Sequence, residues 1–108
     1  MSVTEVNDTN FIGEVENSEL PVLLDFYATW CGPCQLLSPT VEIVAAEGAG
    51  RFKVCKADVD QTPNLVQRFR IMSVPTLVIF HQGREADRLV GGQSREQILA
   101  AMERAAAQ

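Results

Sequence analysis

The segment PVLLDFYA, Pro21 to Ala28, constrains the fold more than any other stretch of the chain. It is a near-continuous apolar run of strand length, broken only by Asp25. A strand with one wet face alternates apolar and polar residues, whereas an unbroken run belongs to a strand covered on both faces, as in a parallel sheet between helices. The run is therefore expected to be a central strand. Directly after it comes TWCGPC, Thr29 to Cys34, and then a helix-like stretch through Leu36, Leu37, Val41, Ile43, Val44 and Ala45, ended by Gly48 and Gly50. Pro39 lies inside that helix, where its missing N–H predicts a kink.

The rest of the chain supplies partners for this unit. Val3 to Val6 reads as a short strand, and Asn7 or Asp8 as the cap of a first helix whose face carries Phe11, Ile12 and Val15. RFKVCKADV, from Arg51, reads as a strand, TPNLVQRF, from Thr62, as a short helix with Pro63 in its first turn, and TLVIF, from Thr76, as a second buried strand. HQG then turns the chain into READRLV, whose charges suit an edge strand in an antiparallel hairpin. Ser94 and Gln97 form a capping box ahead of a last helix that buries Ile98, Leu99 and Met102, and the Ala-rich end, Ala105 to Ala107, is expected to fray. Alternating strands and helices define an α/β class: a mixed sheet of about five strands with helices on both faces. Residues 1–108 read as one domain.

Composition narrows the function classes. The net charge is −5, and lysine occurs only at positions 53 and 56, so there is no basic stripe for a phosphate backbone. The opening MSVTEVNDTN lacks the basic start and apolar stretch of a secretory signal, and the apolar runs fall far short of the roughly 20 residues that span a bilayer. A soluble, cytoplasmic monomer is expected, with neither nucleic acid nor membrane as a partner. Three cysteines, an odd count, argue against a structural disulfide framework.

Cys31 and Cys34 can hold a metal, staple a loop or exchange electrons. A closed zinc site needs four ligands, and outside this pair the chain offers only Cys55 and His81 as cysteine or histidine, both in or at the end of predicted strands, so no metal is expected. Position favours redox chemistry. The pair sits where a buried strand ends and a helix begins, the edge of the sheet where open α/β folds carry function. Cys31 falls just before the helix, where unpaired N–H groups and the helix dipole stabilise an anion such as a thiolate. Cys34 lies one turn in and is screened by the helix, so Cys31 is expected to attack a substrate disulfide and Cys34 to resolve the mixed disulfide. Gly32 permits close approach, and Pro33 suits the first helical turn.

DFYATWCGPC, with SVPT downstream, resembles the thioredoxin family, and the similarity runs from the first strand through VGG to the last helix. The resemblance implies a thioredoxin-like three-layer α/β sandwich that reduces protein disulfides, binds no cofactor itself, and is re-reduced by a thioredoxin reductase drawing on NADPH. Trp30, Cys31, Gly32, Pro33 and Cys34 match the active-site motif, and Asp25 matches the family's buried acid. Lys56 matches the lysine that pairs with that acid, Pro75 the cis-proline beside the site, Pro39 the helix-kinking proline, and Gly83 and Gly91 the glycines of the hairpin and of an active-site loop. Tyr27 stands where many members have tryptophan, Thr29 where many have glutamate and Gln35 where many have lysine.

The residues around the motif carry expectations of their own. Asp25 lies between Leu24 and Phe26, so burial should raise its pKa and let it exchange a proton with Cys34 during resolution. Trp30, Gly32, Pro33, Val74, Pro75 and Gly91 would form a flat apolar patch with free backbone groups, suited to docking an extended polypeptide. Cys55 alternates with Lys56 and should face the opposite side of the sheet as a small core residue. His81 reads as a surface turn residue. A disulfide reductase leads the function classes, ahead of an oxidase or isomerase and of a non-catalytic docking module.

Overall fold

The computed structural model describes residues 3–108. Five strands form one sheet: β1 (Thr4–Glu5), β2 (Val22–Tyr27), β3 (Lys53–Asp58), β4 (Thr76–His81) and β5 (Arg84–Val90), in the order β1-β3-β2-β4-β5. β1 and β2 run parallel to β3, while β4 runs antiparallel to β2 and β5 to β4. The apolar run of Pro21 to Ala28 thus becomes the middle strand, as its pattern predicts. Helices α1 (Gly32–Glu47) and α3 (Arg95–Ala106) cover one face, and α2 (Pro63–Phe69) with an N-terminal helical turn, Ile12–Glu16, covers the other.

Strand alternation divides the core. Leu23, Val54, Leu77 and Ile79 meet Leu37, Val41 and Val44 of α1 and Ile98, Ala101 and Met102 of α3. Val22, Leu24, Phe26, Cys55, Val78 and Phe80 meet Phe11, Val15 and Leu65 on the opposite face. There Phe11, Phe69 and Phe80 pack with ring centroids 5.2–5.7 Å apart at tilted or edge-to-face angles, the arrangement that aromatic quadrupoles favour. Asp25 shares the α1 face with Leu23, one pleat along the same strand.

Local chemistry sets the boundaries. The N-terminal turn is wider than an α-helix, with Asn17 N–H bonding to the carbonyl of Ile12 five residues back. That spacing keeps Phe11 and Val15 on the buried face and turns Ile12 out to solvent, which corrects the expected Phe11–Ile12–Val15 stripe. Neither expected cap closes this helical turn, whose N-cap is Phe11 without a side-chain bond: Asn7 accepts from the N–H groups of Thr9 and Asn10 in the turn before it, and the carboxylate of Asp8 reaches across to the N–H groups of Asn64 and Leu65 at the start of α2. α1 continues through Pro39, which leaves the Gln35 carbonyl without its usual donor. It stops at Gly48, where the Phe52 ring occupies the space that a β-carbon would need, so only glycine fits. Gln82 and Gly83, both at positive φ, make the two-residue hairpin between β4 and β5, with His81 half-buried at its base. The Ser94–Gln97 capping box opens α3, and Ala105 is buried in the core, so the expected fraying does not begin there.

Candidate active site

Cys31 and Cys34 lie at the carboxyl end of β2, joined as a disulfide with their Cα atoms 5.3 Å apart. Cys31 is the N-cap of α1, with an extended backbone at φ −94° and ψ 110°, and its Sγ accepts the Cys34 N–H at 3.1 Å. On reduction the same N–H and the positive end of α1 face a thiol or thiolate, and both favour the anion. Gly32 and Pro33 fill the exposed first turn of the helix, where the missing N–H of Pro33 costs nothing. One expectation needs correction. Both cysteines are 5% exposed, so burial does not separate an accessible thiol from a screened one. The difference lies in their neighbours.

Cys34 borders a pocket of 330 Å³ that Asp25, Tyr27, Thr29, Ser38 and Lys56 also line. Asp25 is 6% exposed and its Oδ1 has no hydrogen-bond partner, a costly arrangement for a carboxylate. Burial pushes its pKa up to about 7; Lys56 opposes the shift and Glu5 adds to it. The expected ion pair between Lys56 and Asp25 is not formed. Although the two are register partners across β2 and β3, the Lys56 ammonium lies 3.9 Å from Glu5 and 5.6 Å from the centre of the Tyr27 ring. Tyr27 in turn donates its hydroxyl to Glu5.

Cys31 faces the other way, its Sγ 3.8 Å from the carbonyl oxygen of Val74. The Val74–Pro75 peptide bond is cis, and the backbone N–H and C=O of Val74 enter no backbone hydrogen bond among the described residues. Gly91, at φ +85°, donates its N–H to the Pro75 carbonyl at 2.9 Å. Trp30 is 69% exposed and donates its indole N–H to Asp60 at 2.9 Å. With Met72, 91% exposed, Ile71 and Val74, it lines a second pocket of 330 Å³. Sequence reasoning missed Asp60, Met72 and Glu5. Asp60 and Met72 sit in loops without a motif, and Glu5 reaches the site only through the pairing of β1 with β3.

These residues assemble the motif on the fold that the resemblance implies. A model of the thioredoxin family matches residues 2–104. The chain belongs to the thioredoxin family. A thioredoxin of Porphyra purpurea is 45% identical over 91 residues, covering 84% of this chain and 85% of that one. A thioredoxin of Staphylococcus aureus is 39% identical over 98 residues, covering 91% and 92%. A bifunctional thioredoxin reductase/thioredoxin of Mycobacterium leprae is 40% identical over 95 residues; the match takes in 88% of this chain and 21% of that larger protein. The crystal structure of a chloroplastic thioredoxin z shares the fold with a TM-score of 0.88 at 34% identity, covering 100% of this chain and 97% of that one.

As a member of the thioredoxin family the protein is a protein-disulfide oxidoreductase, and Cys31–Cys34 is its redox-active disulfide. Two of its departures from common thioredoxin residues have structural roles. Gln35 donates its side-chain amide to the carbonyl of Thr29 at 3.0 Å, tying α1 to the loop before it. Tyr27 holds Glu5 beside the buried acid. Cys55, the free thiol, lies buried on the far face of the sheet, and burial pushes its pKa up to about 11. Among the described residues no group of three or more histidine, cysteine, aspartate or glutamate side chains is placed to hold a metal, and no helix is long and apolar enough to cross a membrane.

Proposed function

We propose that the protein is a general reductant of protein disulfides in which Cys31 attacks and Cys34 resolves. The observation that carries this division is the contrast in neighbours: Cys31 Sγ takes the helix N–H beside the carbonyl of half-buried Val74, and Cys34 borders the pocket of Asp25. In the first step the Cys31 thiolate attacks one sulfur of a client disulfide, and the other client sulfur leaves as a thiolate that takes up a proton. In the second, Cys34 loses its proton to Asp25 and attacks Cys31 Sγ, which breaks the mixed disulfide and releases the second client thiol. The client gains two electrons, and the protein retains the Cys31–Cys34 disulfide.

A polypeptide strand docks on Trp30, Gly32, Pro33, Val74, Pro75 and Gly91, with the free N–H and C=O of Val74 pairing with its backbone. Lys56 acts on Asp25 through the field it sets up in the pocket. A thioredoxin reductase supplied with NADPH returns the disulfide to the dithiol; the support is the relative in which a reductase and a thioredoxin form one protein. The protein works as a monomer in the cytoplasm without nucleic-acid or membrane partners, in keeping with its acidic charge and with Cys55 as a free thiol. Insulin reduction driven by dithiothreitol tests the activity. Turbidity that develops no faster than with dithiothreitol alone would overturn the reading, and the measured potential of the pair would separate reductant from oxidant.

A further inference from the structure

Glu5, Lys56 and Asp25 lie in one row across three neighbouring strands. Glu5 is the register partner of Lys56 between β1 and β3, and Lys56 is the partner of Asp25 between β3 and β2. One cation therefore stands between two carboxylates, one half-exposed and one buried. The ammonium goes to the exposed one. Pairing with Asp25 would gain more Coulomb energy, because screening is weaker inside, but it would strip water from the ammonium. Tyr27 tips this balance. Its hydroxyl reaches both carboxylate oxygens of Glu5, at 3.1 and 3.0 Å, and its ring offers Lys56 a π face on the Glu5 side. Burial and the Glu5 carboxylate raise the Tyr27 pKa, so the phenol remains a donor through the neutral range.

We propose that Glu5 and Tyr27 are positioning residues that hold the Lys56 ammonium off Asp25 and so keep Asp25 able to carry a proton near neutral pH. The inference rests on the proposed role of Asp25 as proton acceptor for Cys34 and names the groups that tune it. The other groups around Asp25 leave this assignment to the trio. β3 adds Asp58 beside Tyr27, and β4 presents Leu77 opposite Asp25. From α1 come Cys34 and the neutral Gln35 and Ser38. Removing the Glu5 charge acts twice in one direction, since it abolishes a repulsion and frees Lys56 to approach. Across two strand spacings, about 10 Å, the lost repulsion alone is worth roughly half a pH unit.

The test is a carbon-13 NMR titration of the Asp25 carboxyl in the disulfide form, where neither Cys31 nor Cys34 titrates. Glu5→Gln should lower the Asp25 midpoint by about half a unit or more, Tyr27→Phe should lower it by less, and Glu5→Asp should leave it near the parent value. A Glu5→Gln midpoint that is unchanged or raised would overturn the proposal. The pH profile of insulin reduction, measured on the same variants, separates this inference from the one beneath it. If the carboxyl midpoint moves and the rate profile does not, the positioning stands and it is the role of Asp25 in resolution that fails.

Discussion

Two pockets, each of 330 Å³, flank the Cys31–Cys34 pair, and they differ in the groups that line them. The one behind Cys34 is walled on one side by α1 and holds an unpartnered carboxylate, with a lysine, a tyrosine and a glutamate arranged around it. The one beside Cys31 is open and apolar, formed by Trp30, Ile71, Met72 and Val74, with Asp60 hydrogen-bonded to the indole. A charge costs most where water is excluded, and Asp25 is buried at the floor of the first pocket, so its proton affinity can be shifted by units. An apolar surface gains most where a partner can cover it, so the open pocket is where a polypeptide can bind. Cys31 and Cys34 are equally buried as residues but unequally surrounded, so the asymmetry of this pair resides in the neighbours of each sulfur.

Substitutions that act on one pocket alone should separate the two. The largest effect is expected behind Cys34. Because the folded pKa of Asp25, about 7, lies above its unfolded value, folding loses stability as pH rises from about 4 through 7 and then levels off. Asp25→Asn should therefore change stability little at pH 4 and raise it at pH 8 by on the order of 4 kcal/mol, while slowing resolution. Denaturant melts at the two pH values check the sign; a variant less stable at pH 8 would show that the carboxylate is not desolvated. On the open side, Trp30→Ala should raise the KM for a protein disulfide about tenfold and leave the Asp25 titration in place. Asp60→Asn weakens a charge-assisted bond to an exposed ring and should raise KM only about two- to threefold. The smallest effect belongs outside both pockets: Cys55→Ala should leave reduction rates unchanged, and in the native parent a thiol reagent should reach Cys55 only after denaturant is added.

The fold and the cysteine pair were more legible in the sequence than the surroundings of either pocket. The apolar run from Val22, the Cys31–Cys34 spacing and the Ser94–Gln97 box are local patterns, and local chemistry suffices to place them. Trp30 and Val74 were found because one adjoins the motif and the other adjoins Pro75. The partner of Lys56 was not legible, since it depends on the register of three strands from distant parts of the chain. Asp8 capping α2 and Asp60 holding Trp30 are likewise tertiary contacts between residues with ordinary loop signatures. Ile12 was misplaced because the first helical turn is wider than the α-helix whose period was read.

The division of labour between the two sulfurs is tested most directly by trapping. The Cys34→Ser and Cys31→Ser variants, each incubated with an oxidised protein substrate, should be compared on non-reducing gels. Cys34→Ser should accumulate a mixed disulfide through Cys31 that dithiothreitol dissolves, and Cys31→Ser should accumulate little or none. Trapping by Cys31→Ser alone, or equally by both variants, would contradict the assignment of attack to the sulfur at the helix cap and of resolution to the sulfur beside Asp25.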